Sequence, residues 1–145
     1  MTPSIPSAIP SSIPSVIPPP MQCPCCSDKP FAQCCGRYLD NGDLPKTAKQ
    51  LMRSRYSAHA LGGYGKYLLE SWHADTVPAL TAEALSRREL DWKGLRIVDY
   101  SQQGDAGSVC FEATYVTADG ITGIHRENSR FLRIHGKWLY LDGQE

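Results

Sequence analysis

The chain has 145 residues, of which 41% are hydrophobic, and this is enough for one ordinary domain with its own core. Its 15 basic and 15 acidic side chains cancel, so no global field recruits nucleic acid or an anionic membrane surface, and we expect neither as a partner. No run of about 18 apolar residues occurs, which argues against a membrane-spanning helix.

The first predicted segment is a tail over residues 1–22 that is rich in proline, serine and isoleucine. It repeats the dipeptide Ile-Pro and contains no lysine or arginine. Because proline fixes φ and removes a backbone donor, we predict an extended, polyproline-like and mostly disordered tail. A secretory signal peptide has a basic start and an uninterrupted apolar core, and this tail has neither. The sequence therefore predicts a cytoplasmic protein.

The second feature is a group of cysteines, since five of the six in the chain fall between Cys23 and Cys35. Their spacing is C-x-C, then eight residues, then C-C, which suits a short loop that brings two pairs together. Thiols this crowded either form disulfides or bind a soft metal ion, and the reducing cytosol favours the metal. Four thiolates around one Zn²⁺ are the common closed arrangement. We therefore predict a zinc knuckle over residues 23–37, with a disulfide-linked loop as the alternative.

After the knuckle, apolar residues recur at three- and four-residue steps, which predicts helices. The first predicted helix spans residues 44–61, with Pro45 near its start and Gly62-Gly63 at its end. A second helix is predicted over residues 64–73 and a weaker third over about 79–90.

From Leu95 onward the period changes to two, which is typical of strands. The predicted strands cover residues 95–100, 109–116, 121–134 and 137–141. The turn signals between them are residues 104–107, Asp119-Gly120 and His135-Gly136. Helices followed by a run of strands predict an α+β domain over residues 44–145, in which the helices pack on one face of an antiparallel sheet.

Two groups of residues resemble known families. Cys23-Pro24-Cys25 and Phe31-Ala32-Gln33-Cys34-Cys35-Gly36 resemble the SEC-C motif, the zinc-binding tail that also ends the SecA translocase. Four further stretches resemble the YchJ family of uncharacterised bacterial proteins, namely residues 51–56, 72–73, 127–132 and 137–143. The resemblance implies a SEC-C knuckle fused to a nuclear-transport-factor-2-like (cystatin-like) cone, in which helices close over a strongly curved sheet. It assigns the role of Zn²⁺ ligand to Cys23, Cys25, Cys34 and Cys35.

Cys26 departs from the motif, which has glycine directly after its second cysteine. Glycine at such a position serves a tight turn, so we expect a side chain there to strain the backbone. Cys26 also supplies a fifth thiolate where four suffice. Its replacement of Cys25 as a ligand is therefore an open alternative.

The resemblance also implies a pocket between helices and sheet, so inward-facing polar residues are candidates for its lining. On the long predicted strand, His125, Glu127 and Ser129 share the face of Phe131. Arg55 lies in the apolar stripe of the first helix. We predict that it forms a partly desolvated salt bridge with Glu127, which fixes how helix and sheet pack.

Aromatic and hydrogen-bonding side chains are expected to form the walls of this pocket. They are Tyr56, Trp72, His73, Tyr115 and Tyr140. The other two histidines, His59 and His135, are interpreted as ordinary exposed or boundary residues.

The preferred functional hypothesis is a zinc-binding protein that acts as a binding module. Its partner is either a protein that contacts the knuckle around Lys29, Phe31 and Arg37, or a small molecule inside the cone. The alternatives are an isomerase or dehydratase that uses Glu127 and His125, and a structural scaffold in which zinc only pins the knuckle to the domain. Catalysis by the zinc ion is not expected, because four thiolates leave no open position for water.

Overall fold

The computed structural model describes residues 21–145. The predicted tail, residues 1–22, lies outside this range except for its last two positions. Gln22 forms an isolated antiparallel bridge with Pro30, and the backbone N–H of Phe31 donates to the carbonyl of Met21 at 2.8 Å. The loop that carries the first three cysteines is therefore closed at its base by main-chain pairing.

Within the described residues the helices are a 3₁₀ helix at Phe31–Gln33 and the α-helices α1 (Gly36–Leu39), α2 (Ala48–Leu61), α3 (Gly65–Glu70) and α4 (Ala82–Leu85). The first long helix begins at Ala48 rather than at residue 44, because the hydroxyl of Thr47 caps it and accepts from the N–H of Gln50 at 3.0 Å. None of the helices in this part of the chain is long and apolar enough to cross a membrane.

The second and third predicted helices are both too long. α3 ends at Glu70, because the following residues pair with the sheet: the N–H of Tyr140 donates to the carbonyl of Ser71 at 2.8 Å. The third predicted helix shrinks to the single turn of α4, and the sheet already begins at Asp91.

The strands are β1 (Asp91–Gln103), β2 (Ala106–Val116), β3 (Thr122–Ile134) and β4 (Lys137–Gln144). They form one antiparallel sheet in the order β1-β2-β3-β4, so the predicted α+β class is confirmed. β1 is longer than the predicted 95–100, since Trp92 already pairs with Tyr115 of β2. Irregularities of register between β1 and β2, and between β3 and β4, bend the sheet.

α2 approaches the sheet closely at its first residue. A Cβ on Gly107 of β2 would lie only 2.8 Å from the Cβ of Ala48, so glycine is needed for this contact. Next to it, Leu51, Phe131 and Trp138 fill the core, each 1% exposed. Farther along α2 the helix and the sheet enclose an open space instead, and this space is part of the candidate site.

Candidate functional site

Four cysteine sulfurs form a compact cluster in the knuckle. The Sγ atoms lie within 4.8 Å of one another and the side chains are buried: Cys23, Cys25, Cys34 and Cys35. The sulfurs of Cys25 and Cys34 are 3.7 Å apart. In a tetrahedral site with Zn–S bonds of about 2.3 Å, neighbouring sulfurs lie about 3.8 Å apart. The donor set therefore fits a soft metal ion held by four sulfur ligands.

Short hydrogen-bonded turns position these sulfurs. The N–H of Cys23 donates to the carbonyl of Lys29 at 2.9 Å and closes the first turn. Cys35 is the N-cap of α1, so its sulfur is fixed by the start of a helix. Glycine must follow it, because a Cβ on Gly36 would lie 2.7 Å from the carbonyl oxygen of Phe31.

Cys26 lies outside the cluster. Its φ is +64°, the left-handed conformation that favours glycine and that the sequence led us to expect. The exposed sulfur accepts a hydrogen bond from the N–H of Leu95 at 3.4 Å. The structure thus brings Cys25, and not Cys26, together with the other three sulfurs.

Hydrogen bonds among the thiols separate their acidities. Donation from Cys25 and then from Cys35 lowers the pKa of Cys23 to about 3, although burial opposes this. Hydrogen bonds with Cys23 and then Cys25, followed by burial, raise the pKa of the Cys35 thiol. The cluster therefore stabilises thiolate at one position at the expense of another. A bound divalent cation removes this competition, because it stabilises all four thiolates together.

Polar contacts attach the knuckle to α2. Arg53 donates through Nη1 to the carbonyl of Cys25 at 2.7 Å, and the Ser57 hydroxyl lies 3.6 Å from the Cys23 sulfur. Phe31, which we predicted on a partner-binding surface, is only 8% exposed and packs in the core shared with the domain. The prediction for Phe31 is wrong, because the aromatic ring joins knuckle to domain. A protein partner at the knuckle stays a prediction.

The second part of the candidate site is a cavity of about 410 Å³ between the later turns of α2 and the inner face of the sheet. Eight of the nine predicted pocket residues line it: Arg55, Tyr56, Trp72, Tyr115, His125, Glu127, Ser129 and Tyr140. Its walls also include the apolar side chains of Met52, Phe111 and Phe131. The space between α2 and the sheet is thus a partly open, mainly apolar chamber with a few polar groups.

His73, the ninth predicted residue, does not line the cavity. Its backbone N–H donates to the carbonyl of Tyr140 at 2.8 Å, as part of the short pairing beside β4. Its ring nitrogen Nδ1 accepts from the N–H of Asp75 at 3.0 Å. The prediction fails because residues after Ser71 leave the helix, which turns the imidazole away from the chamber.

Arg55 does not form the predicted salt bridge with Glu127. Within the described residues, its guanidinium donates through Nη1 to the carbonyl of Leu68 and to the hydroxyl of Ser71, each at 2.7 Å. Tyr140 and Trp72 flank it, with ring centroids 4.7 and 4.8 Å from Cζ. Burial lowers the pKa of Arg55 to about 10, so the group remains a cation at neutral pH.

Glu127 is held by donors from three other side chains. The hydroxyl of Ser129 donates to Oε2, and the hydroxyl of Tyr140 donates to the same oxygen at 2.9 Å. The Nε2 of His125 lies 3.1 Å from Oε1. A carboxylate engaged by three partners is fixed in place, and this suits an anchor of the cavity wall better than a free general base.

Sequence reasoning missed several lining residues, of which His59 and Trp92 matter most. His59 was interpreted as an exposed or boundary residue, and it is half-buried, but the interpretation missed that it lines the cavity. Burial, followed by the charge of Arg55, lowers its pKa to about 4. The signal was present in the sequence, since His59 is four residues after Arg55 and thus on the same face of α2. Trp92 was missed because the first strand was predicted to begin too late.

Comparisons with known proteins point to a single family. The family model described as "YchJ, middle NTF2-like domain" matches residues 47–143. A UPF0225 protein of Streptomyces coelicolor is 39% identical over 134 residues, which cover 87% of this chain and 97% of the relative. A UPF0225 protein of Sodalis glossinidius is 36% identical over 127 residues, which cover 84% of this chain and 82% of the relative.

A solved structure is similar over nearly the same range. It is the solution structure of a SEC-C motif containing protein from Rhodopseudomonas palustris, with 30% identity and a TM-score of 0.77. The match covers 86% of this chain and 98% of that protein. The likeness therefore includes the cysteine knuckle as well as the sheet and its helices.

Proposed function

The chain belongs to the YchJ family, with a nuclear-transport-factor-2-like domain and an N-terminal knuckle of SEC-C type, and on this premise we propose that it is a zinc protein that binds a small molecule in its cone. The observation that carries the proposal is the chamber between α2 and the sheet. The knuckle supports this chamber, and catalysis is not part of the proposal.

The size and lining of the chamber support ligand binding. Its volume of about 410 Å³ falls within the range of roughly 300–1,000 Å³ that small-molecule sites occupy. Most of its wall is apolar or aromatic, and the polar groups are few and fixed by the fold. Such a combination gives affinity through apolar burial and specificity through a small number of polar contacts.

The metal in this proposal is Zn²⁺ with a structural role. The four cysteine sulfurs would hold the ion and complete a tetrahedral coordination shell, which would leave no position for water or a substrate. The knuckle packs in the same core as α2, and the Arg53 contact to Cys25 ties the metal loop to the helix that lines the chamber. Four reduced thiols also favour a reducing compartment, which supports the cytoplasm as the site of action.

A substitution that fills the chamber tests the proposal. Ala113 of β2 is 1% exposed and lines the cavity, so Ala113→Phe places a ring in the space that a ligand would occupy. Thr114→Phe is the matched control, since the next residue of a strand points to the opposite face. We expect small aromatic probes, screened by chemical-shift perturbation, to bind the wild type and Thr114→Phe but not Ala113→Phe.

Two results would contradict the proposal. One is a screen in which no probe perturbs the signals of chamber residues in the wild type. The other is binding that Ala113→Phe leaves unchanged, because the probes would then be bound elsewhere.

A further inference from the structure

We propose that the ligand of the chamber is a small organic carboxylate with an aromatic or alicyclic body, and that Arg55 binds its carboxylate group. This inference rests on the proposed function, because it names the chemical class of the molecule that the chamber binds. It depends on the hydrogen-bonding state of Arg55, on the charges around it and on the shape of the apolar wall.

Arg55 has N–H groups left over. A guanidinium carries five N–H donors, and the hydrogen bonds to Leu68 and Ser71 both come from Nη1. Nε and Nη2 make no hydrogen bond to a described residue. Among the described residues, Nε1 of Trp72 is the one side-chain nitrogen or oxygen that is both fully buried and without a hydrogen-bond partner. Since Nε and Nη2 of Arg55 also lack a partner, they are not fully buried. Because Arg55 lines the chamber, they open toward its interior.

Arg55 is the one buried arginine among the described residues, and its charge has no anionic partner there. Each of five arginines at the surface of the described region contacts a carboxylate: Arg88, Arg96, Arg126, Arg130 and Arg133. Arg55 is 7% exposed and has no carboxylate in contact. Burying a cation without an anion in contact is costly. A ligand with one negative charge would compensate this cost.

Glu127 does not fill that role, although it lines the same chamber. Its oxygens already accept from Ser129, Tyr140 and the ring of His125. Its charge also limits the ligand, because a dianion such as a phosphate monoester would meet one cation and one fixed anion. A monoanion matches this balance better, and this favours a carboxylate over a phosphate.

The orientation of the guanidinium is fixed before any ligand arrives. The rings of Trp72 and Tyr140 flank it, and Nη1 is anchored to the turn after α3. A guanidinium held in this way presents Nε and Nη2 as a fork that matches the two oxygens of a carboxylate. The remaining wall is aromatic, with Trp92 in edge contact with Tyr115 at 5.5 Å between ring centroids. An apolar ring on the ligand is the natural complement of that wall.

Three probes of nearly equal size test the inference on the purified full chain. They are 3-phenylpropanoate, its neutral amide 3-phenylpropanamide and the cation 3-phenylpropylamine, with affinity measured by titration calorimetry or chemical-shift perturbation. We expect the carboxylate to bind about fivefold more tightly than the amide, since a charge-assisted hydrogen bond is worth about 1 kcal/mol more than a neutral one. The amine should bind most weakly.

Arg55→Lys is the diagnostic variant, because lysine keeps the positive charge but loses the planar fork. It should remove most of the preference for the carboxylate and leave the affinity for the amide nearly unchanged. Arg87→Lys is the matched control, since Arg87 is exposed and lies outside the chamber. If Arg55→Lys does not fold, the three probes on the wild type still decide the matter.

The outcomes separate this inference from the function on which it rests. If the amide or the amine binds as tightly as the carboxylate, and Ala113→Phe abolishes that binding, the chamber binds ligands but the carboxylate assignment is wrong. If none of the three probes binds, the carboxylate assignment is overturned, and the proposed function is overturned with it when the wider screen of aromatic probes also gives no binding. A carboxylate preference that Arg55→Lys leaves intact also overturns the role of Arg55.

Discussion

The knuckle and the chamber both bury polar side chains against α2, but they satisfy them in different ways. In the knuckle, the buried sulfurs converge on one point, and one cation can stabilise all of them. In the chamber, Arg55 and Glu127 are each held by other partners and form no ion pair with each other. The first region is complete once a metal is bound, whereas the second retains free N–H donors that face an open space. This difference is the basis of our proposal of a structural metal site in one region and a ligand-binding site in the other.

The largest expected effect comes from breaking the knuckle. Cys34→Ser should abolish stoichiometric zinc and lower the free energy of unfolding by more than about 3 kcal/mol, because structural zinc sites contribute on the order of 10 kcal/mol of binding free energy. Metal analysis and denaturant unfolding check both points. A variant that keeps one zinc per chain, or a wild type purified under reducing conditions without metal, would contradict the structural assignment.

The second-largest expected effect is a decrease in stability at acid pH, and it depends on His59 in the chamber. Its pKa is lowered to about 4 by burial and by Arg55, whereas an unfolded histidine titrates near 6.5. The unfolded state therefore binds the proton first, and stability should decrease by about 2–3 kcal/mol as the pH falls from about 6.5 to 4.

His59→Gln should remove this part of the pH dependence. The measurement is the free energy of unfolding of wild type minus that of the variant at each pH, because loss of metal in acid then affects both proteins alike. His135→Asn is the control, because His135 is an exposed turn residue with a φ of +51° that asparagine tolerates. Equal pH profiles for wild type and His59→Gln would show that the half-buried imidazole of His59 does not resist protonation.

A smaller loss of folding stability is expected from Glu127→Gln. The amide keeps the shape of the side chain but exchanges charge-assisted hydrogen bonds from Ser129 and Tyr140 for neutral ones, which should cost about 1–2 kcal/mol of stability. Binding of 3-phenylpropanoate should not weaken, since the removed charge repels a carboxylate. Glu112→Gln, which changes an acid on the outer face of the sheet, should have a much smaller effect on stability. Loss of ligand binding in Glu127→Gln alone would assign Glu127 to the ligand.

The smallest effect should come from Cys26→Gly. Glycine relieves the positive φ but gives up the contact between the Cys26 sulfur and the N–H of Leu95, so the net change in stability should stay within about 1 kcal/mol. The zinc content should remain one per chain. A drop in bound zinc would identify Cys26 as a ligand and would overturn the set of four sulfurs found in the cluster.

Several features of the fold and the site were predictable because they depend on residues close in sequence. The order of helices and strands follows from hydrophobic period, which each segment expresses by itself. The cysteine spacing predicts the knuckle for the same reason, since one short loop carries all of its sulfurs. Even the unusual backbone at Cys26 could be anticipated, because a motif position that favours glycine reports a local conformation.

The errors lie where distant segments meet. His73 was assigned to the chamber because a longer helix was expected, and the pairing of Ser71 and His73 with Tyr140 overrides that local preference. Phe31 was expected at the surface, because the sequence of the knuckle does not show which of its faces packs against α2.

The sequence by itself determined the element order, the α+β class and the spacing of the cysteines, since all three are encoded within single segments. The tertiary structure alone decided that Arg55 and Glu127 stay apart. The partners of Arg55 come from α3 and from the turn after it, and Tyr140, which donates to Glu127, comes from β4. These contacts join residues 13 to 16 positions apart, beyond the reach of the helix and strand periods. Whether a buried charge is paired depends on which side chains the whole fold brings within about 3 Å, and that cannot be worked out one segment at a time.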